Sequence, residues 1–236
     1  MAKKRSNNNN KQRTSVDKNN FILRTITPLT ANQKVFFDTF EDYSHHMLLG
    51  YPGTGKTAIA LFKALEMLEK GEADRLTVFR SMVATLDAGH LPGTLEQKAA
   101  VFEAPYRSIV NSFYGRADAY DILRKKNVIT FPTTSYERGN TYNDVVAIVD
   151  EIQNCTAHEL DTIVTRFGSN SKLILCGDLN QQDITKYRDK NVYKVLDILE
   201  SLPQCNTVHF DIDDIVRHDF IKKYIINKYK LFPDGF

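Results

Sequence analysis

The chain has 236 residues, a length that suits one well-buried α/β domain and is short for two. Charged residues make up 25% of it and apolar residues 42%, so composition excludes a membrane protein and a wholly disordered one. The formal net charge is only +2, but the charge is unevenly distributed along the chain.

The first twenty residues differ from the rest. They contain six Lys or Arg against one Asp, with a run of four Asn from Asn7. We expect a disordered basic tail over residues 1–20 and a single domain over residues 21–236. Without the tail's charge of +5 the remainder carries −3, so bulk charge does not indicate nucleic-acid binding. The tail can contact phosphate backbones non-specifically, although a solvated tail without a dedicated target is the simpler interpretation.

No apolar segment follows Lys3, Lys4 and Arg5, and no long apolar span occurs, so we expect a protein without membrane contact that is not exported. The three cysteines, Cys155, Cys176 and Cys205, are too few and too widely spaced for a zinc cluster. Their odd number argues against a disulfide framework, and this predicts the reducing cytoplasm as the location.

The first predicted element is a helix after Leu29, with Val35, Phe36, Phe37 and Phe40 at helical spacing. Gln33 has two interpretations. Thr30 and Gln33 fit a capping box that closes the N-terminus of this helix, and pattern alone favours that role. Alternatively, the Gln33 amide contacts the edge of an adenine base.

The central motif is Gly50–Thr57, which fits the phosphate-binding pattern G-x-x-x-x-G-K-[ST]. A short apolar run, 47–49, precedes it and predicts a buried strand. A helical pattern over 58–68 follows and ends at Gly71, a natural C-cap. Strand, loop and helix are the context in which this motif binds a nucleoside triphosphate.

The chemistry of the motif assigns a role to each part of the loop. The glycines let successive backbone N–H groups point inward, and the following helix dipole adds to their positive field. Lys56 is the mobile charge for the β- and γ-phosphates, and the Thr57 hydroxyl is a ligand for Mg²⁺. The residues expected to contact the nucleotide here are Gly50, Pro52, Gly53, Thr54, Gly55, Lys56, Thr57 and Ala58.

The next predicted strand is Arg75–Arg80, which places Arg80 at the edge where parallel sheets bind ligands. Arg80 faces the nucleotide or a bound polymer in one interpretation, and forms a surface salt bridge in the other.

A mostly helical insertion is predicted between Met82 and Lys126. Thr94 and Gln97 offer a capping box, and Gly115 is expected to end the helix that runs past Phe113. Aromatic and arginine side chains within this segment could stack on a single strand, but aromatics at helical spacing are more often core. These side chains are Tyr106, Arg107, Tyr114 and Arg116.

After a short strand at 128–131 comes the second decisive stretch, Val145–Val149, followed by Asp150 and Glu151. A continuous β-branched run is typical of a central parallel strand, and its two carboxylates lie at the ligand edge. We predict that Asp150 holds the Mg²⁺ shell and that Glu151 activates or orients the attacking water. An acidic pair at the start of a helix is the alternative, which the upstream phosphate loop disfavours.

Another buried strand, Lys172–Cys176, leads to Gln181, a candidate sensor of the γ-phosphate. A polar loop tip is the alternative for Gln181.

A last strand at Thr207–Phe210 precedes a helix predicted to carry Ile215, Val216, Arg217, Phe220, Ile221, Tyr224 and Ile225. Arg217 is a candidate arginine finger for the γ-phosphate, and its alternative is an i,i+4 ion pair with Asp213.

Taken in order, these pieces resemble the PhoH family of P-loop ATPases, in particular its short single-domain members from bacteria and phages. Besides the phosphate loop, the resemblance rests on Leu91–Gly93, Arg138–Gly139, Asp150–Asn154, Gly177–Asp178 with Gln181, and Val216–His218. It implies an α/β fold: a RecA-like, mostly parallel P-loop NTPase sheet flanked by helices, similar to the ATPase core of superfamily 1 helicases. It also implies nucleotide-handling roles for Lys56, Thr57, Asp150, Glu151, Gln181 and Arg217, and it favours Gln33 as a nucleotide contact.

The resemblance implies ATP hydrolysis with Mg²⁺, coupled to single-stranded RNA or DNA. Helicases of this superfamily place the nucleotide between two RecA-like domains, whereas this chain has room for one. We therefore expect a homo-oligomer in the form of a ring, such as a hexamer, with an arginine supplied across the interface. The alternative is a nucleotide-gated oligomeric switch or assembly module with slow ATPase and no translocation. A small-molecule kinase is disfavoured, because kinases do not usually need the water-handling pair Glu151 and Gln181.

Overall fold

The core of the protein is one sheet of six parallel strands. The computed structural model describes residues 22–81, 95–132, 141–178 and 191–232. The strands are β1 (His45–Gly50), β2 (Arg75–Arg80), β3 (Ile129–Thr130), β4 (Val145–Asp150), β5 (Lys172–Gly177) and β6 (Cys205–Phe210). Their spatial order is β3-β2-β4-β5-β1-β6, and each neighbouring pair is parallel. The predicted α/β class and parallel sheet are therefore confirmed.

Helices cover both faces of this sheet. They are α1 (Ala31–Thr39), α2 (Lys56–Lys70), α3 (Leu95–Tyr114), α4 (Ala119–Lys125), α5 (Ala157–Val164), α6 (Val192–Glu200) and α7 (Asp219–Leu231). Along β4, Val146 and Ile148 pack into the core under α1 to α4, while Ala147 and Val149 pack into the core under α5 and α6. Because successive strand residues point to opposite faces, burial on both sides requires the continuous apolar run that the sequence shows.

Helix α2 follows the phosphate loop directly. It starts at Lys56 after Gly55 and ends at Lys70. The C-cap residue Gly71 has a positive φ of 73°, which lets its N–H return to the carbonyls of Met67 and Leu68. This confirms the predicted helix and its glycine C-cap.

The insertion between β2 and β3 is helical over the residues that the structure describes, because it consists of α3 and α4. Tyr106 and Tyr114 are buried. Arg107 forms an ion pair with Asp121, and Arg116 donates a hydrogen bond to Asp118. The core interpretation of these aromatic residues is therefore confirmed, and their stacking on a single strand is not supported. The predicted turn at 91–93 and the Thr94 cap lie outside the described residues.

The predicted C-terminal helix begins later than its apolar pattern suggested. Helix α7 starts at Asp219, so the placement of Ile215, Val216 and Arg217 on it was wrong. The preceding turn is held by its own acidic side chains, since Asp211 accepts from the N–H of Asp213 and Asp214 accepts from the N–H of Asp211. Such local bonds compete with helix formation. Because α7 starts at Asp219, Asp213 and Arg217 do not share a helix, as their alternative i,i+4 pairing would require.

Within the described ranges, no helix has the length and apolar character needed to cross a membrane.

Candidate functional site

The phosphate loop lies at the carboxyl edge of the sheet, between β1 and α2. Gly50 has φ +133°, and a Cβ on it would lie 1.9 Å from the carbonyl oxygen of Phe210, so only glycine fits where β1 meets β6. Gly53 and Gly55 also have positive φ, near 80°. These turns bring the chain back to start α2 with its N-terminus facing the loop, which is the geometry that binds phosphate.

Lys56 curls over this loop. Its Nζ donates to the carbonyl oxygens of Gly50 (2.8 Å) and Tyr51 (2.6 Å) and to Thr54 Oγ1 (3.2 Å). Burial lowers the pKa of Lys56, and the nearby acidic groups, Asp178 foremost, oppose that shift. The ammonium therefore lies at the centre of the loop, where an anionic oxygen would be its natural partner.

The Thr57 hydroxyl joins the phosphate loop to β4. Thr57 Oγ1 donates to Asp150 Oδ1 at 3.0 Å, although the two residues are 93 positions apart. The second oxygen, Asp150 Oδ2, accepts from the hydroxyl of Tyr106 at 2.8 Å. Burial and the adjacent Glu151 raise the pKa of Asp150, and the two hydroxyl donors oppose the rise. A divalent cation here would favour the ionised carboxylate.

Glu151 leaves the strand in the left-handed conformation, with φ 55° and ψ 48°. Its carboxylate is held by Gln153, whose Nε2 donates to Glu151 Oε2. The other amide atom, Gln153 Oε1, accepts from the N–H of Asp178 at 3.1 Å. Gln153 thus ties the end of β4 to the end of β5, a link that no local pattern in the sequence indicated.

A cavity of about 390 Å³ connects these groups. Arg80 lines it because β2 and β4 are in register at Arg80 and Asp150. Burial acts to lower the pKa of Arg80, but neighbouring Tyr106, Asp150 and Glu151 outweigh it and raise the pKa overall. Of the two interpretations of Arg80, the structure favours the one in which it faces the cavity beside the phosphate loop. The other lining residues include Pro52, Gly53, Gly55, Lys56, Thr57, Ala58, Asp178 and Arg217.

The Gln33 side chain links α1 to the phosphate loop. Its Nε2 donates to the Thr54 carbonyl oxygen at 2.8 Å and its Oε1 accepts from the Leu29 N–H at 2.8 Å, with the side chain 2% exposed. Thr30 caps α1 as predicted, but the reciprocal bond of the capping box goes to Leu29 rather than to Thr30. Contact with a base would require the Gln33 side chain to give up these two hydrogen bonds. The structure therefore favours a role for Gln33 in stabilising the phosphate loop.

Arg217 reaches the loop from the segment before α7. The Val216 N–H donates to the Gly53 carbonyl oxygen at 3.0 Å, and a Cβ on Gly53 would lie 2.9 Å from Arg217 Cγ. Arg217 therefore lies over the phosphate loop of its own chain. Gln181, three residues beyond Asp178, lies outside the described residues.

A larger cavity of about 830 Å³ lies at the opposite, amino edge of the sheet, with Glu41, Asp42, Glu72, Asp74 and Asp144 among its lining residues. Ligands of open parallel sheets bind at the carboxyl edge, and the smaller cavity has the phosphate loop, so it is the better candidate. Among the described residues, no group of three His, Cys, Asp or Glu side chains could hold a metal ion alone. A cation at Thr57 and Asp150 would depend on phosphate and water ligands, as Mg²⁺ commonly does.

Comparison with known proteins agrees with this geometry. A family model described as PhoH-like protein matches residues 25–230. A PhoH-like protein of Mycobacterium tuberculosis (strain H37Rv) is 32% identical over 206 residues, which cover 86% of this chain and 57% of the relative. A PhoH-like protein of Bacillus subtilis is 31% identical over 178 residues, covering 75% of this chain and 56% of the relative. Protein PhoH of Escherichia coli K12 is 32% identical over 199 residues, covering 82% and 56%. The chain thus spans little more than half the length of these relatives.

Proposed function

Because the chain belongs to the PhoH-like family, a P-loop NTPase-type family, we propose that it binds ATP with Mg²⁺ and hydrolyses it. The observation that carries the proposal is the 3.0 Å contact between Thr57 Oγ1 and Asp150 Oδ1. It brings the phosphate loop and the acidic strand end to one point, where the Thr57 hydroxyl and the Asp150 carboxylate would hold the Mg²⁺ of a bound nucleotide.

In this proposal each residue at the cavity has one task. Backbone N–H groups of the loop and Lys56 bind the β- and γ-phosphates. Thr57 and Asp150 hold Mg²⁺, which when bound neutralises phosphate charge. Glu151, held by Gln153, orients the attacking water and accepts its proton. Arg217 stabilises charge on the γ-phosphate in cis, and Gln181 senses that phosphate.

Two variants separate binding from chemistry. Lys56→Ala removes a charge-assisted contact to phosphate and should weaken ATP binding at least about tenfold. Glu151→Gln keeps the shape of the side chain and should leave binding intact while hydrolysis slows by on the order of a hundredfold. The measurements are equilibrium binding of a fluorescent ATP analogue and release of inorganic phosphate.

The matched controls lie on the same helix and away from the cavity. Lys63 and Glu66 form an ion pair on α2, so Lys63→Ala and Glu66→Gln change the same chemical groups elsewhere. We expect neither control to change ATP affinity or turnover more than about twofold. Equal loss of binding in Lys56→Ala and Glu151→Gln would contradict the assigned roles.

The coupling to single-stranded RNA or DNA is supported by the outer face of α7. Phe220 is 70% exposed and Tyr224 55% exposed, and the two lie one helical turn apart. Lys223, which pairs with Asp219, and Lys230 are exposed on the same helix. Aromatic side chains among lysines suit stacked bases and a phosphate backbone. ATP turnover with and without single-stranded RNA or DNA tests the coupling. Strong stimulation supports a strand-coupled ATPase, and no effect supports the nucleotide-gated switch.

The homo-oligomer is part of the same proposal. The described chain forms one sheet with one phosphate loop, whereas a strand-coupled motor needs a neighbour across the nucleotide. Light scattering with ATP and Mg²⁺ tests the expected ring, such as a hexamer, and a purely monomeric protein contradicts it. The cytoplasmic location is proposed because Cys155, Cys176 and Cys205 are all buried free thiols.

A further inference from the structure

Tyr106 connects the helical insertion to the acidic end of β4. Its side chain is fully buried, and its ring packs against Phe131 with 5.5 Å between ring centroids. Its neighbour Pro105 and, one turn later, Ile109 line the 390 Å³ cavity. Packing therefore fixes the ring, and its hydroxyl points toward Asp150, which lines the same cavity.

The hydroxyl of Tyr106 donates to Asp150 Oδ2 at 2.8 Å. Burying a phenol hydroxyl costs free energy unless it finds partners. The partners here are the Arg80 side chain and the carboxylate of Asp150, a residue that is itself 5% exposed. Because Thr57 donates to Oδ1, each oxygen of Asp150 has one hydroxyl donor. Two donors on different oxygens, one from α2 and one from α3, fix both the position and the plane of the carboxylate.

We propose that Tyr106 is a positioning residue for Asp150, one of the two residues assigned to Mg²⁺ in the proposed nucleotide site. Its hydroxyl holds Asp150 Oδ2, so that Oδ1 stays beside Thr57 Oγ1, where the two oxygens can serve one Mg²⁺. This inference rests on the proposed function, since it assigns the cation to Thr57 and Asp150. The helical insertion then supplies a group to the metal site. Outer donors of this kind set the orientation and affinity of a metal-binding carboxylate.

The chain provides a matched control in Tyr120. It is also fully buried in the insertion, and its hydroxyl also donates to a buried carboxylate, that of Glu103. Glu103 pairs with Arg124 and does not line the cavity. Tyr120→Phe and Tyr106→Phe therefore remove the same atom from similar surroundings, and only Tyr106→Phe changes the nucleotide site.

The test is the affinity for a fluorescent, non-hydrolysable ATP analogue, measured once with excess Mg²⁺ and once with EDTA. The ratio of the two affinities isolates the contribution of the metal. We expect Tyr106→Phe to lower this ratio about tenfold while the affinity in EDTA stays unchanged. Tyr120→Phe should leave both values as in the wild type.

A double-mutant cycle with Asp150→Asn checks that the hydroxyl acts through this carboxylate. Asp150→Asn should lower the ratio strongly, and adding Tyr106→Phe should lower it little further. An unchanged ratio in Tyr106→Phe, an equal fall in both tyrosine variants, or additive effects in the double variant would each overturn the inference. Absence of analogue binding by the wild type would instead overturn the proposed function on which it rests.

Discussion

Gly50→Ala is the substitution whose cost the structure defines best. Gly50 ends β1 and opens the phosphate loop at φ +133°, a conformation that costs an alanine about 1–3 kcal/mol. The new Cβ would lie 1.9 Å from the carbonyl oxygen of Phe210, against 3.4 Å or more in ordinary contacts. Strand β6 would have to move, with loss of the 3.2 Å bond from the Tyr51 N–H to that oxygen. Overpacking of this kind costs a further 1–3 kcal/mol or so.

Together these effects predict a loss of about 4 kcal/mol in the free energy of unfolding, a large share of the roughly 5–15 kcal/mol that stabilises a typical domain. Gly71→Ala is the control, because Gly71 also has positive φ, at 73°, but a Cβ there meets no atom within 4 Å. It should cost only about 1 kcal/mol. Urea unfolding of both variants measures the difference. If Gly50→Ala were no more destabilising than Gly71→Ala, the close approach of β6 to the loop would be wrong.

Two further predictions concern buried titratable groups. Burial lowers the pKa of His46 from 6.5 to about 4, helped by Lys172 and opposed by the Phe40 carbonyl. The unfolded chain therefore binds the extra proton first, and the His46 contribution to stability, present above pH 6.5, is lost as the pH falls toward 4. Between pH 6.5 and 4 this loss amounts to about 3 kcal/mol of the free energy of unfolding. When unfolding is measured against pH, His46→Phe should lack this part of the pH dependence. An identical pH dependence in variant and wild type would contradict the prediction. Burial also raises the pKa of Cys155 to about 12 and of Cys205 to about 11, and it raises that of Cys176. A thiol reagent at pH 8 should therefore label none of the three cysteines in the native protein and all three in denaturant, and rapid native labelling would contradict their burial.

Local patterns predicted the elements that depend on local chemistry. The glycine spacing of the phosphate loop, the apolar run of β4 and the C-cap at Gly71 each have a short-range physical cause, and the structure has each where it was predicted. The start of α7 was missed because hydrophobic spacing cannot show that the side chains of Asp211 and Asp214 bond the backbone of their own turn.

Contacts between distant segments were beyond such reasoning. Tyr106 follows the helical spacing of a core aromatic residue, and nothing within its own helix indicates a bond to Asp150, 44 residues away. The sequence pattern predicted Gln33 either as a capping residue or as a contact to a base. Its hydrogen bond to the Thr54 carbonyl depends on how α1 packs against the loop. The Tyr106 contact also depends on β4 lying beside β2, an adjacency that the chain order does not reveal.

The most direct test of the site is a crystal structure with Mn²⁺ in place of Mg²⁺ and a non-hydrolysable ATP analogue, since anomalous scattering locates the metal. We expect the β- and γ-phosphates within the loop of residues 50–57, in contact with Lys56. The metal should lie between Thr57 Oγ1 and the Asp150 carboxylate, with Glu151 facing the γ-phosphate. Phosphates bound at the amino edge of the sheet, or a metal remote from Asp150, would contradict the assignment of loop and carboxylates to one triphosphate.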